Sequence, residues 1–344
     1  MDKPTIANLA AEAGVSVSTV NRILSGTAKV SGTTMQRVQS AAENIGFYGT
    51  GAIKDRLRKS VPNYRLGFLL QQSDRDLYQL IGKQISIACR GRTDEIVHHV
   101  IDFADDLAPD NISKRLKQLG EDCDAVAIIA ADHPVIGHTI RELQESGTPV
   151  ISYITDQSAP ERAAFVGTDN WKVGCTAAWL ITQMTHGEGR IAVFIGNHRY
   201  QCQDIADAGF RSYIREHAAR LTVDDSRPTL EEASNSYAMV KELLSTAEDL
   251  VGILIVGGGI SGVLRALREV PVERRQKLKL ICRDIGPETL KGLSEGLITA
   301  ALCHPLGATS ETLVLTMIEA INGKSSNATM QHTVPFKIIT PENM

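Results

Sequence analysis

The chain has 344 residues, 43% hydrophobic and 22% charged, with a formal net charge of −4. That length exceeds one ordinary core, so two or three domains are expected, and the composition excludes a disordered chain. No apolar run approaches the ~18 residues of a membrane span, and the charge excludes a uniformly basic nucleic-acid binder. The charge is nevertheless uneven. Residues 1–60 hold eight Lys/Arg against four acids, which leaves a net −8 for the remainder. A basic head on an acidic body directs the head to phosphate and keeps the body off it. The six cysteines, at 89, 123, 175, 202, 282 and 303, form no C-x-x-C pair, and several sit in apolar runs. They read as buried thiols of a reducing compartment, without disulfides or zinc.

Residues 5–24 read as two short helices around a tight turn. Ile6, Leu9, Ala10 and Ala13 recur at helical spacing, Gly14 stops the first helix in the left-handed conformation, and Ser16 is placed to cap the second. Val20, Ile23 and Leu24 face inward. Val17, Ser18, Asn21 and Arg22 remain outward, small and polar groups with one fork-shaped cation. This is a helix-turn-helix pattern whose second helix suits a DNA major groove. Ser31 caps a third predicted helix, Thr33 to Ile45, with Met35, Val38, Ala42 and Ile45 inward.

The run Thr5-Ile6, Leu9-Ala10, Ala13-Gly14-Val15-Ser16, Thr19-Val20, Arg22-Ile23-Leu24, Val30-Ser31, Thr34, Arg37-Val38 and Gly46-Phe47-Tyr48 resembles the lactose/galactose repressor (LacI/GalR) family. Asn8 stands where that family usually has an acid, and Asn21 where serine is common; both bear on operator choice. The resemblance implies that Val17, Ser18, Asn21 and Arg22 read bases, with Ser16 at the helix start. Thr5, Thr19, Lys29, Ser31, Thr34 and Arg37 would hold the phosphate backbone. It also implies a hinge helix in the polar stretch after Gly46, with Leu57 as an apolar minor-groove wedge between Arg56 and Arg58. Thr50 and Asp55 depart from the usual hinge residues. The competing reading is a plain linker.

From Leu66 onward, apolar strand-length runs alternate with amphipathic helices. Strands are expected at 66–71, 96–101, 125–130, 150–153, 164–167, 191–195, 252–256 and 278–282. Helices are expected near 77–89, 112–119, 134–145, 171–184, 203–217, 237–244, 261–268 and 287–293. Short continuous apolar runs between helices indicate parallel sheets buried on both faces. The expected fold is α/β: a three-helix DNA-binding head (1–48), a hinge (49–61) and a body (62–344) with doubly wound parallel sheets. The family resemblance makes the body a two-lobed, type I periplasmic-binding-protein-like unit. Lobe 1 is expected over about 62–158 and 285–325, and lobe 2 over about 159–284 and 326–344.

Ligands of open α/β sheets bind beyond the carboxyl ends of the strands. The residues there mix hydroxyl, amide, carboxylate, guanidinium and aromatic groups, which suits a polyhydroxylated ligand. The candidate effector residues are Ser73, Asp76, Tyr78, Asp169, Asn170, Arg199, Asp284 and His304. Helix capping is an equal account of Asp169. Many members of the resembled family anchor the ligand with an arginine three residues before a Gly-Phe pair. Here that position, before Gly209-Phe210, is Ala206, and Arg199 is the replacement on offer. Gly257-Gly258-Gly259 likewise replaces the usual aspartate.

The rival signal is Gly257-Gly258-Gly259-Ile260-Ser261-Gly262, a G-x-G-x-x-G run after an apolar strand, with Asp284 lying 22 residues beyond its last glycine. It defines the alternative function: an NAD-linked oxidoreductase with an N-terminal DNA-binding head. The histidines lack metal spacing and there is no G-x-S-x-G, so neither metal, cofactor nor catalytic residue is expected. The preferred reading is a non-enzymatic, ligand-responsive repressor of a carbohydrate or polyol operon. It is expected to be a cytoplasmic homodimer on pseudo-palindromic double-stranded operator DNA, away from membranes, with a carbohydrate-like effector.

Overall fold

The computed structural model describes residues 3–25, 30, 32–51, 53, 61–283, 285–323 and 329–344. They form two compact units, residues 1–64 with 91–98, and residues 65–90 with 99–344.

The first unit opens with three helices, α1 (Ile6–Ala13), α2 (Val17–Ser25) and α3 (Gly32–Asn44). Leu9, Ala10, Ala13, Val20, Ile23, Met35, Val38, Ala42 and Phe47 are buried together, with Ile6, Leu24 and Ile45 packed at the edge. This is the apolar face that the spacing predicts. The boundary of the head lies later than expected. Ile53, assigned above to the hinge, is fully buried in the same core. The Ile53 N–H donates to the Gly49 carbonyl at 3.1 Å and the Thr50 N–H to Phe47 at 3.1 Å. Gly49 to Gly51, together with Ile53, therefore close the head rather than opening a linker. Leu57 and the rest of 54–60 lie outside the described residues, as do Lys29 and Ser31.

The body contains two sheets. The first has the order β12-β5-β4-β3-β1-β2, from β1 (Asn63–Gln71), β2 (Ile96–Ala104), β3 (Ala125–Ile128), β4 (Val150–Tyr153), β5 (Ala164–Gly167) and β12 (Met330–Thr333). The second runs β13-β11-β10-β9-β6-β7, from β6 (Gly189–Ile195), β7 (Leu221–Val223), β9 (Leu250–Ile255), β10 (Lys279–Arg283), β11 (Ala300–Cys303) and β13 (Lys337–Ile339). The two-residue β8 (Arg227–Pro228) pairs with β6. The ladder through β1, β3, β4, β5 and β12 is parallel, as is that through β6, β9, β10 and β11. β13 joins β11 antiparallel. β3, β4 and β5 are buried at every position, which is why they read as unbroken apolar runs; β11 is equally buried but was not among the expected strands.

The sheets correct the expected lobe boundaries. β5 belongs to the first sheet, with Ile151 beside Ala164, although lobe 2 was expected to begin at 159. The segment expected to cross is instead folded back on its own lobe. The Asp156 carboxylate takes two nitrogens of Arg162, at 2.6 and 2.7 Å, and Gln157 donates to the Ala130 carbonyl at 2.7 Å. β11 belongs to the second sheet, with Ile281 beside Ala300, although 285–325 was expected in lobe 1. The chain thus changes sheet between β5 and β6, again after β11, and finally between β12 and β13. The helix Leu306–Ile321 returns to the first sheet and packs on β3, β4, β5 and the helix Asp76–Arg90. Among the described residues no helix is long and apolar enough to cross a membrane.

Candidate functional site

The head presents one face built for a polar polymer. Thr5 caps α1: its hydroxyl accepts the Asn8 N–H at 3.3 Å, and the Asn8 side chain accepts the Thr5 N–H at 3.0 Å. Gly14 ends α1 at φ +60°. The Ser16 hydroxyl accepts the Thr19 N–H at 3.2 Å and bonds the Ser18 and Thr19 hydroxyls at 2.8 Å, so it caps α2. Val20 and Ile23 turn inward, which leaves Val17, Ser18, Asn21 and Arg22 exposed along the outer face of α2. Val17 is 46% exposed, an apolar contact beside three polar ones. Thr34 is half-buried on α3. Arg37 departs from a pure phosphate contact, since its Nη2 donates to the Ala13 carbonyl at 2.7 Å and the Gly14 carbonyl at 3.1 Å. These are carbonyls left open at the end of α1, and the guanidinium closes them.

The body holds a cleft of about 410 Å³ at the carboxyl ends of its strands. Loops after β1, β3 and β4 of the first sheet supply Asp74, Arg75, Ile129 and Thr155, and the first turn of the helix Asp76–Arg90 supplies Asp76 and Tyr78. Around the second sheet, loops supply Tyr200, Glu231, Gly257–Gly259 and His304, the end of β10 supplies Arg283, and the first turns of two helices, Gln201–His217 and Pro287–Ser294, supply Gln203 and Thr289. A second cavity of about 210 Å³ shares Tyr200 and Glu231 and is otherwise lined by Asp132, His133, Asn197 and Arg199 with Leu107, Ile112, Ile136 and Leu230.

Two polar constructions bridge the lobes. Tyr78 and Tyr200 both donate to Gln71 Oε1, at 2.8 and 3.0 Å. Burial raises both phenols above the usual tyrosine range, so they stay protonated donors. Arg75 Nη1 lies 2.7 Å from Glu231 Oε2, and Gln203 donates to Glu231 Oε1 at 2.9 Å. Burial works to lower the Arg75 pKa, yet it is raised on balance, and the Glu231 carboxylate beside it favours the charged guanidinium. The segment bearing Glu231 is strained: Leu230 at φ +55° and Glu231 at φ +64° are consecutive non-glycine residues in the left-handed region.

The structure gathers three of the predicted effector residues into this cleft: Asp76, Tyr78 and His304. His304, buried at the end of β11, accepts from Arg283 Nη2 at 2.7 Å. Four others sit elsewhere for clear reasons. Ser73 gives its N–H and hydroxyl to Asp105, both at 2.8 Å, and these bonds hold that carboxyl below its usual range. Asp169 caps the helix Asn170–Met184 through the Lys172 N–H at 3.1 Å. Asn170 is buried and accepts from the Thr168 hydroxyl at 3.2 Å. Arg199 lines the second cavity and donates to the Asp132 carbonyl at 3.3 Å. Asp284 lies outside the described residues. Arg75, Tyr200, Gln203 and Glu231 were not singled out, because their meeting depends on two loops 156 residues apart.

The glycine run has a packing explanation. A Cβ on Gly257 would overlap the Gly196 backbone, one on Gly258 the Glu231 carboxylate, and one on Gly262 the Ala233 carbonyl. Close approach of loop, strand and helix accounts for these three, and the φ of +96° at Gly259 accounts for the fourth, without a pyrophosphate.

A helix-turn-helix head and a two-lobed α/β body with a polar cleft define a ligand-responsive transcription regulator. Residues 5–49 match the model of the bacterial regulatory proteins of the lacI family, and residues 110–325 match the periplasmic binding protein domain. The chain belongs to the periplasmic-binding-protein domain family and, through its head, to the lacI family of bacterial regulators, which is a family of regulators and not of enzymes. It is 23% identical to the sucrose operon repressor of Pediococcus pentosaceus, over 98% of each chain. Among solved structures it resembles GanP, a glucose-galactose binding protein from Geobacillus stearothermophilus, with a TM-score of 0.72, 20% identity, and 82% of this chain and 99% of that one covered. It also resembles an ABC-transporter solute-binding protein from Burkholderia graminis in complex with D-arabinose, with a TM-score of 0.73, 19% identity, and coverage of 83% and 97%.

Proposed function

We propose that this regulator is a cytoplasmic homodimeric repressor of a carbohydrate or polyol operon, with a carbohydrate-like effector in the cleft of its body. The observation that carries this reading is the 410 Å³ cleft, closed by polar side chains of both lobes and faced by two tyrosines. Hydroxyl-rich ligands need paired donors and acceptors, while aromatic rings cover their C–H faces. Asp76, Tyr78 and His304 remain the effector contacts of this proposal, joined by Arg75, Tyr200, Gln203, Glu231 and Arg283. The repressor and the two sugar-binding proteins named above support the effector class.

The head would hold a pseudo-palindromic operator through two copies of α2. Val17, Ser18, Asn21 and Arg22 would read bases, and Thr5, Thr19, Lys29, Ser31 and Thr34 would hold phosphates, with Leu57 as the minor-groove wedge. An effector changes DNA affinity only if it binds the two lobe geometries unequally. A thermal-shift screen of sugars, polyols and nucleosides, followed by operator binding with each hit, tests the whole reading. Stabilisation by nucleosides alone would replace the carbohydrate effector.

A further inference from the structure

We propose that Glu231 is a specificity-determining residue that reserves the cleft for an uncharged polyhydroxylated effector and excludes its phosphorylated or carboxylated counterparts. The inference deepens the proposed function and rests on effector binding in this cleft.

The carboxylate is fixed in the ligand space. Its side chain is 8% exposed. Oε1 accepts from Gln203 at 2.9 Å and Oε2 from Arg75 at 2.7 Å. Gly196 and Gly258 leave the slot it fills, since a Cβ on either would overlap it. Its backbone and that of Leu230 are locked in the left-handed region, and Thr229 beneath them donates its hydroxyl to the Gly258 carbonyl at 2.9 Å. A carboxylate held from so many sides does not swing away to admit a second anion.

The cations lining the cleft are already committed. Arg75 is paired with Glu231. Arg283 donates to the Leu302 carbonyl at 2.9 Å, to the Thr168 hydroxyl at 3.1 Å and to His304 at 2.7 Å. No lysine is among the described residues of the lining. The other charged groups there are Asp74 and Asp76, both exposed at the rim, and Glu288, 3.5 Å from Arg268. An arriving phosphate would face this acidic excess in a partly desolvated space, where like charges repel more strongly than in water. A neutral hydroxyl pair does better, because one hydroxyl donates to Glu231 and its neighbour accepts from Arg75. The ion pair then serves as one hydrogen-bonding edge for adjacent hydroxyls.

The test is calorimetry of the full-length protein with matched pairs: D-glucose and D-glucose 6-phosphate, D-fructose and D-fructose 6-phosphate, sucrose and sucrose 6-phosphate. The wild type is expected to bind the neutral member of its preferred pair more than about tenfold tighter, equivalent to ~1.4 kcal/mol. Glu231→Gln keeps shape and a carbonyl acceptor but removes the charge, and it should narrow the gap severalfold by strengthening the phosphate. Asp76→Asn, an exposed change that leaves the fold intact, should narrow it less, and raising the salt should narrow it in the wild type as well. Equal or tighter binding of the phosphate by the wild type overturns the proposal. So does an unchanged ratio in folded Glu231→Gln, or, if that variant fails to fold, an unchanged ratio in both Asp76→Asn and high salt. Either result leaves the carbohydrate reading standing. Absence of binding by all six compounds removes both that reading and this inference.

Discussion

Arg75 and Glu231 meet at 2.7 Å and tie the loop after β1 to the loop before the helix Ala233–Thr246, joining the two lobes of the body. The pair is part-buried, and Glu231 carries the strained backbone that presents it. Removing one partner leaves the other charge unpaired. Glu231→Ala should therefore lower stability by ~1.5–3 kcal/mol, the usual worth of a charged hydrogen bond. It should also widen the lobes in sugar-free protein. Denaturant melts and small-angle scattering measure the two effects, and an unchanged scattering profile would show that the pair does not hold the lobes together.

Arg37 and Gly14 form a second such relationship, inside the head. The guanidinium closes the Ala13 and Gly14 carbonyls, and a Cβ at Gly14 would press on Arg37 Nη2 at 2.8 Å while φ is +60°. Gly14→Ala is expected to destabilise the head by about 1 kcal/mol or more. Arg37→Ala should destabilise it by a comparable amount and weaken all DNA sequences alike. A sequence-selective loss in a competition assay would give Arg37 a base contact instead.

Ile53 tests the boundary of the head. It is fully buried with Leu9, Val38 and Phe47. Truncation of a buried isoleucine costs ~2–5 kcal/mol. Ile53→Ala should thus lower the melting transition of the head and weaken DNA binding, while effector affinity stays at the wild-type value. A head that melts normally would return residue 53 to the linker.

Arg22 tests sequence readout. It is exposed on the outer face of α2 with Ser18 and Asn21, and a bidentate contact to guanine contributes ~1–3 kcal/mol of discrimination. Arg22→Ala should flatten the preference for one operator over its single-base variants. If the ranking of operators survives the change, base reading belongs to other residues.

The head was largely legible because its logic is local. Apolar spacing over fewer than 50 residues closes one small core, and the outward face is what remains. What escaped were side-chain reciprocities, such as Asn8 capping through Thr5 and Arg37 closing α1. The alternating body was legible for the same reason, since strands buried on both faces read as plain apolar runs. Its lobe boundaries were not. Polar, proline-bearing segments look alike whether they turn within a lobe, as Asp156–Arg162 does, or cross between lobes. The helix Leu306–Ile321 was missed because it packs on both a sheet and a helix, which spreads its apolar residues around it. The cleft was half legible. Residues after strands are easily proposed, but whether Asp169 faces a ligand or its own helix is decided by a single bond to Lys172.

Coupling between the effector cleft and the DNA-binding head is measured directly by one titration. Operator DNA selected with the full-length protein is titrated by fluorescence anisotropy with and without a saturating sugar found by thermal shift. The sugar is expected to change operator affinity by about tenfold or more, a coupling of ~1.4 kcal/mol, and Glu231→Ala to shift the sugar-free affinity as well. A sugar that binds the cleft and leaves operator affinity unchanged would contradict this coupling.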